Sequence, residues 1–220
     1  MDTNDYGPPP NPQGDRKDHK FFERYLDNDL DHLASELQNR YDQILRGEMN
    51  NVTPLSQDEV WKESSSASTM KWREYNVFQF HIPEIRKLYN AVSSMVREAC
   101  EYYEIDFEAQ NFMMQGWFNI NERTTGKLGW HDHGPEGAPN FHGYYCINAE
   151  PSVTHYLVFG KETVNVNKNN RAVLSEMTHP HAMGNWDWDG KRITIAYDVE
   201  PLGPLQEHAL YQEQHWIPLN

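Results

Sequence analysis

The chain has 220 residues, of which 38% are hydrophobic and 13% aromatic, enough to form the core of a single domain. Its formal net charge of -14, with no evident cluster of Lys or Arg, argues against a general nucleic-acid binder. No apolar run is long enough to span a membrane, and the first residues lack the basic and hydrophobic regions of a secretory signal. Cys100 and Cys146 lie in apolar patterns and are expected to be reduced core residues. We therefore expect a cytoplasmic protein without a membrane partner.

The N-terminal half of the chain predicts helices that support another element. Residues 1–19 are polar and include three consecutive prolines, so we expect a flexible arm followed by one domain over residues 20–220. Apolar side chains at helical spacing predict a helix over 29–46, with Asn28 or Asp29 as its cap. Residues 72–80 read as a strand, and a second amphipathic helix begins at Pro83 and runs to about Tyr103.

From residue 111 onward the pattern changes to short strands separated by Gly, Pro, Asn and Asp. The predicted strands lie near 112–120, 128–133, 140–149, 153–159, 163–167, 171–177 and 192–199. Asn169-Asn170, between the predicted strands near 163–167 and 171–177, is a hairpin-turn signal. Helices followed by strands with no helix between them predict antiparallel sheets closed into a sandwich or jelly roll, a mostly β fold with supporting α-helices.

Two histidine clusters mark the candidate site. Side chains two residues apart on a strand share one face, so His131 and His133 are expected on one side and Asp132 on the other. A second pair, His179 and His181, follows at the far end of the strand-rich half. Imidazole suits Fe, Zn and Cu, and three ligands on one face leave positions open for substrate or dioxygen.

An arginine lies about ten residues beyond the second cluster. Arg192 opens a strand on which Thr194 shares its face, and an arginine with a hydroxyl two residues on can grip a carboxylate together. The sequence therefore predicts a site for a metal ion and an anionic ligand.

The order of these motifs resembles the Fe(II)/2-oxoglutarate-dependent oxygenase superfamily over roughly residues 72–200. It is most similar to oxygenases encoded by bacterial and tailed-phage genomes, including those of cyanophages. The resemblance is carried by Trp130-His131-Asp132-His133, the run Phe141-His142-Gly143-Tyr144-Tyr145, His181, and Arg192-Ile193-Thr194-Ile195-Ala196-Tyr197. It implies a double-stranded β-helix, the cupin-like jelly roll, and a host cytoplasmic location if the protein is phage-encoded.

The resemblance also implies a chemistry. The cofactors would be Fe(II), 2-oxoglutarate as cosubstrate and O2, and the protein would be a dioxygenase, in most such cases a hydroxylase that releases succinate and CO2. His131 and His181 would be iron ligands. Arg192 would hold the distal carboxylate of 2-oxoglutarate, assisted by Thr194 and by Tyr145.

This chain departs from the family at one position, because the usual motif is His-x-Asp or His-x-Glu and residue 133 is histidine. Strand geometry favours His133 as the third ligand, while a bulge at Gly134 would turn Asp132 inward instead. His181 is favoured over His179 as the distal ligand because of its distance in sequence from Arg192.

Two other functions fit the residues. One is a cupin-like metal dioxygenase without a cosubstrate. The other is a non-catalytic jelly-roll protein, such as a phage structural or assembly factor, with surface histidines. The substrate is not named by the sequence, although the negative charge favours a peptide side chain or small molecule over nucleic acid.

Overall fold

The computed structural model describes residues 19–46, 66–68, 75–121, 129–133, 140–176, 179–203 and 215–220. The helices are α1 (Leu30–Leu45), α2 (Pro83–Tyr102) and α3 (Phe107–Gln110). The strands are β1 (Phe22–Tyr25), β2 (Ser66–Ser68), β3 (Phe112–Asn121), β4 (Phe141–Asn148), β5 (Val153–Val158), β6 (Lys161–Val166), β7 (Arg171–Glu176), β8 (His181–Met183), β9 (Arg192–Pro201) and β10 (Ile217–Pro218). No helix in these ranges is long and apolar enough to cross a membrane.

The strands form two antiparallel sheets. The larger has the order β1-β7-β4-β9-β3-β10, with β2 also pairing β3, and the smaller has the order β6-β5-β8. A bridge between residues 131 and 181 adds one more chain segment beside β8. Consecutive strands often lie in different sheets, which is the topology of a jelly roll. The predicted fold class is confirmed.

Side-chain alternation gives the larger sheet two different faces. On β9, Ile193, Ile195 and Tyr197 join the main hydrophobic core with α1 and α2. The opposite face carries Arg192, Thr194 and Asp198, all buried. Between the two sheets a smaller cluster includes residues from β4, β5 and β7. The polar side chains of the larger sheet therefore point into the space between the two sheets.

The helices cover the outer face of the larger sheet. In α1 the buried residues Leu33, Leu37, Tyr41 and Ile44 follow helical spacing. The Asp29 side chain accepts a hydrogen bond from the backbone N–H of His32 and caps the first turn. Pro83 begins α2, where a missing N–H costs nothing. Both predicted helices are confirmed.

Several sequence predictions are corrected. Residues 77–79 of the predicted strand 72–80 form a 3-10 turn, because the Asn76 side chain accepts from the Phe78 N–H. Asn169-Asn170 does not close a hairpin but joins β6 of one sheet to β7 of the other.

Of the predicted arm, residues 1–18 lie outside the described residues, and the side chain of His19 is buried. Cys100 and Cys146 are free and buried, as predicted.

Candidate metal and carboxylate site

His131 and His181 face each other across an antiparallel bridge. The backbone N–H of each donates to the carbonyl oxygen of the other, with N···O distances of 3.1 and 2.9 Å. Directly opposed residues on antiparallel strands direct their side chains to the same face. The two imidazole rings consequently lie 4.4 Å apart between their centroids.

His133 joins this pair, as the two-residue spacing predicts. Its ring centroid lies 5.0 Å from those of both His131 and His181. The candidate ligand nitrogens of these three residues are all within 4.8 Å of one another. Asp132 is exposed and belongs to no group of candidate ligands among the described residues. Of the two alternatives for the third position, the structure brings His133 to the cluster.

Each of the three imidazoles is held through Nδ1. His131 contacts the carbonyl oxygen of Gly129 at 3.0 Å, His181 that of residue 179 at 3.4 Å, and His133 a carboxylate oxygen of Asp198 at 3.2 Å. This leaves Nε2 of each ring for another partner, and Nε2 of His133 is buried with no hydrogen-bond partner in the described chain. Metal-binding histidines are held in this way through the other ring nitrogen. The residues thus fit a transition-metal ion, on which their Nε2 atoms can converge.

A fourth histidine and an aspartate complete the cluster. His142 stacks on His133 at 4.1 Å and lies opposite Asp198 in the β4–β9 ladder, with 2.7 Å between Nδ1 and Oδ1. Burial would raise the pKa of Asp198, but His133 and His142 hold it well below its usual range. Burial would likewise lower the pKa of His133, yet Asp198 outweighs it and raises that pKa.

The other imidazoles favour the neutral form that binds metals. Burial, then the positive charge that His133 can carry, lowers the pKa of His142 to about 4. Burial and the three neighbouring histidines lower the pKa of His181 well below its ordinary value. Asp198 therefore raises the pKa of His133 above its ordinary value, whereas at His142 its attraction does not overcome burial.

Arg192 lies on the same interior face and is only 5% exposed. Its Nε donates to Oγ of Ser152 at 3.2 Å, and one terminal nitrogen donates to Oγ1 of Thr194 at 3.4 Å. No carboxylate of the described residues forms an ion pair with it, and burial lowers its pKa. A buried guanidinium without a counter-ion is costly, and an anionic ligand would supply the missing charge.

Two buried tyrosines lie in the same interior as the histidines and the arginine. The Tyr156 ring is 5.6 Å from that of His181, and Tyr144 packs in the same cluster and lies close enough to Arg192 to affect its pKa. The Tyr144 hydroxyl lies near Thr154 but makes no hydrogen bond of ordinary geometry, and the Tyr156 hydroxyl has no partner among the described residues. Both hydroxyls can donate to a ligand in this space.

Tyr145, predicted to assist Arg192, lies on the opposite face of β4. Its side chain is in the helix-covered core, and its hydroxyl donates to Asn170 at 2.5 Å and accepts from Asn28 at 3.0 Å. The prediction was wrong because Tyr144, not Tyr145, shares a face with His142 and is cross-strand from Ala196. His179, the alternative distal histidine, lies outside the three-histidine group and beside His19 and Glu176.

Sequence reasoning missed Asp198 and Tyr144. Asp198 lies six residues after Arg192 on one strand, so the alternation that paired Arg192 with Thr194 also predicts the same face for it. Tyr156 lies on β5 of the smaller sheet, and Ser152 immediately precedes that strand. Their place in the site depends on how the two sheets pack, which the sequence pattern does not show.

Comparison with known proteins supports the fold. No protein-family model matches the sequence, and no curated protein matches it. Among solved structures, a prolyl-4-hydroxylase from Pseudomonas putida is similar at a TM-score of 0.57 and 10% identity, covering 83% of this chain and 93% of that one. AviO1 from Streptomyces viridochromogenes Tue57 is similar at a TM-score of 0.54 and 12% identity, covering 84% and 90%. The non-heme alpha-ketoglutarate-dependent carbocyclase SnoK from nogalamycin biosynthesis gives a TM-score of 0.53 and 10% identity, covering 83% and 80%.

The chain shares its fold with these three proteins, one of which is named as alpha-ketoglutarate-dependent. The resemblance noted in the sequence is thereby confirmed at the level of the fold. At these identities the likeness does not extend to an activity, which has to be argued from the residues. The suggested relation to phage-encoded proteins stays a prediction.

Proposed function

We propose that the protein is an Fe(II)- and 2-oxoglutarate-dependent dioxygenase that hydroxylates its substrate. The observation that carries the proposal is the buried Arg192, without a carboxylate partner among the described residues, in the same interior as the three converging histidines. A metal ion at the histidines and a dicarboxylate reaching the guanidinium would satisfy both ends of the site. The buried hydroxyls of Tyr144 and Tyr156 belong to a cluster in the same interior.

The residues have separate tasks in this proposal. His131, His133 and His181 hold the ion, and Asp198 keeps the proton of His133 on Nδ1 so that Nε2 stays available. Arg192 and Thr194 bind the distal carboxylate of 2-oxoglutarate. When bound, the iron and 2-oxoglutarate supply the oxidising chemistry, in which O2 gives one oxygen atom to the substrate C–H bond and the other to succinate, with loss of CO2.

The opening of the site indicates where a substrate would enter. His131 is the most exposed of the three histidines, and the neighbouring Trp130 is 44% exposed. An exposed aromatic beside a reactive centre suits contact with an organic group. With the net charge of -14, this favours a peptide side chain or small molecule over nucleic acid as the substrate.

Arg192→Lys tests the proposal. A point charge cannot reproduce the planar fork of the guanidinium, so 2-oxoglutarate should bind to the Mn(II)-loaded protein about ten- to a hundredfold more weakly, for a loss of about 1.5–3 kcal/mol. The measurement is titration calorimetry. Arg171→Lys is the matched control, because Arg171 is also buried but is already paired with Glu23 and Asn165.

Succinate formation by the Fe(II)-loaded protein, followed by NMR without added substrate, provides the activity measurement. Equal 2-oxoglutarate affinity in the wild type and Arg192→Lys would remove the arginine from the proposal. Metal binding without any 2-oxoglutarate binding would favour the cupin-like dioxygenase. Absence of divalent-metal binding would favour the non-catalytic protein.

A further inference from the structure

A second group of candidate metal ligands lies apart from the three-histidine site. It consists of His19, just before β1, Glu176, the last residue of β7, and His179, just before β8. Their candidate ligand atoms all lie within 4.8 Å of one another. The two rings are 4.3 Å apart between centroids. Two segments distant in sequence, one before β1 and one between β7 and β8, thus bring two imidazoles and a carboxylate together.

His19 is unusual for a histidine near the N-terminus of the chain. Its side chain is 4% exposed, and both ring nitrogens are buried without a hydrogen-bond partner in the described part of the chain. The nearest carboxylate oxygen, on Glu176, is 3.9 Å from Nδ1, which is too long for a hydrogen bond. Buried polar atoms are normally partnered, so this ring calls for a ligand.

The Glu176 carboxylate supplies a negative charge that would balance a bound metal cation. Burial would raise its pKa, but His19, Tyr103 and His179 together hold the pKa below its ordinary value, so the carboxylate is ionised. The Tyr103 hydroxyl accepts from the backbone N–H of Lys20, which follows His19, and lies close enough to this carboxylate to lower its pKa. Such outer contacts orient metal-binding carboxylates.

We propose that His19, Glu176 and His179 bind a second divalent transition-metal ion, of the Zn(II) class. Two imidazoles and one carboxylate are a preferred ligand set for Zn(II) and related ions, and a water molecule completes a four-coordinate site. The ion would join the segment before β1 to the segment between β7 and β8. The proposal does not depend on the function proposed for the first site.

This ion would also stabilise the first site. The carbonyl oxygen of His179 contacts Nδ1 of His181, at 3.4 Å. A metal bound by the His179 side chain would restrict that backbone and thereby the orientation of the His181 ring. The second ion is structural in this reading, and it acts on the first site only through position.

Zinc stoichiometry tests the proposal. The full-length protein, freed of metal and dialysed against Zn(II), should hold two zinc ions per chain by mass spectrometry of the metal, and His19→Ala should hold one. His32→Ala is the matched control, because His32 also pairs with a glutamate, Glu84 at 3.1 Å, but is in no three-ligand group of the described residues. It should keep two.

A second set of variants guards against misfolding. The double variant His133→Ala/His181→Ala should retain one zinc ion per chain, and zinc should still raise its melting temperature. Adding His19→Asn to this variant should abolish both the zinc binding and the rise in melting temperature. An equal zinc content in His19→Ala and the wild type would overturn the proposal, as would complete loss of zinc in the first-site double variant. Neither result depends on 2-oxoglutarate binding, so failure here is distinguishable from failure of the proposed function.

Discussion

Asp198→Asn is the sharpest test of how the first site is built. The Asp198 carboxylate accepts from Nδ1 of His133 through one oxygen and from Nδ1 of His142 through the other. An asparagine has nearly the same shape but only one acceptor oxygen. It can therefore hold one of the two imidazoles with its proton on Nδ1. The other imidazole has to accept from the amide and carry its proton on Nε2.

The expected loss of metal affinity follows from the loss of one acceptor oxygen. A hydrogen bond to a charged group is worth about 1.5–3 kcal/mol, and a neutral one about 0.5–1.5 kcal/mol. If the proton moves to Nε2 of His133, that nitrogen is no longer a ligand. We expect Mn(II) to bind Asp198→Asn about 10–100-fold more weakly, the range found for loss of a partner behind a metal-binding histidine.

Glu200→Gln is the matched control for this experiment. Glu200 lies two residues further along the same strand and is also buried, but it makes no hydrogen bond to a histidine in the described structure. It should change Mn(II) affinity by less than about threefold, because it replaces a buried carboxyl group of the same strand without removing a hydrogen bond to an imidazole. Calorimetry or electron paramagnetic resonance of Mn(II) measures both variants. An Asp198→Asn affinity equal to that of Glu200→Gln would refute the reasoning.

Two further predictions concern the same interior. Tyr144→Phe should weaken 2-oxoglutarate binding by about 1 kcal/mol, whereas Tyr145→Phe should leave it unchanged and instead lower unfolding free energy by about 1–2 kcal/mol; calorimetry and urea unfolding separate them, and the opposite pattern would restore Tyr145 to the site. Mn(II) affinity should rise about tenfold per pH unit from the ordinary histidine pKa of ~6.5 up to the raised pKa of His133, because only this ligand is still protonated there. A slope near three would contradict the lowered pKa of His131 and His181.

The sequence predicted the site better where it depends on local periodicity than where it depends on sheet packing. His131, His133 and Arg192 follow from two-residue alternation along single strands, and the structure brings the two histidines together. Tyr145 was predicted from the resemblance alone, and alternation along β4 puts it on the opposite face from His142 and Tyr144. The 3-10 turn near residue 77 follows from one side-chain hydrogen bond of Asn76, which competes with strand propensity.

The negative charge of Asp198 explains why position 133 is a histidine and not a carboxylate. Under the proposed function a divalent ion and Arg192 bring three positive charges, and the 2-oxoglutarate dianion with Asp198 brings three negative charges. Burial and Asp198 raise the pKa of Glu200 to about 7, so this group can stay neutral. A carboxylate ligand at position 133 would add a fourth negative charge to a buried space, where unbalanced charge is costly.

This balance predicts compensation between the two positions. His133→Asp in the Asp198→Asn background moves the negative charge from behind the ligand to the ligand itself. The double variant should bind Mn(II) about tenfold more tightly than Asp198→Asn alone. His133→Asp in the wild-type background should gain less, because the Asp198 carboxylate then leaves one negative charge unbalanced in the buried space. The four affinities form a double-mutant cycle. If the two substitutions were additive, the charges at 133 and 198 would be independent, and the histidine would need another explanation.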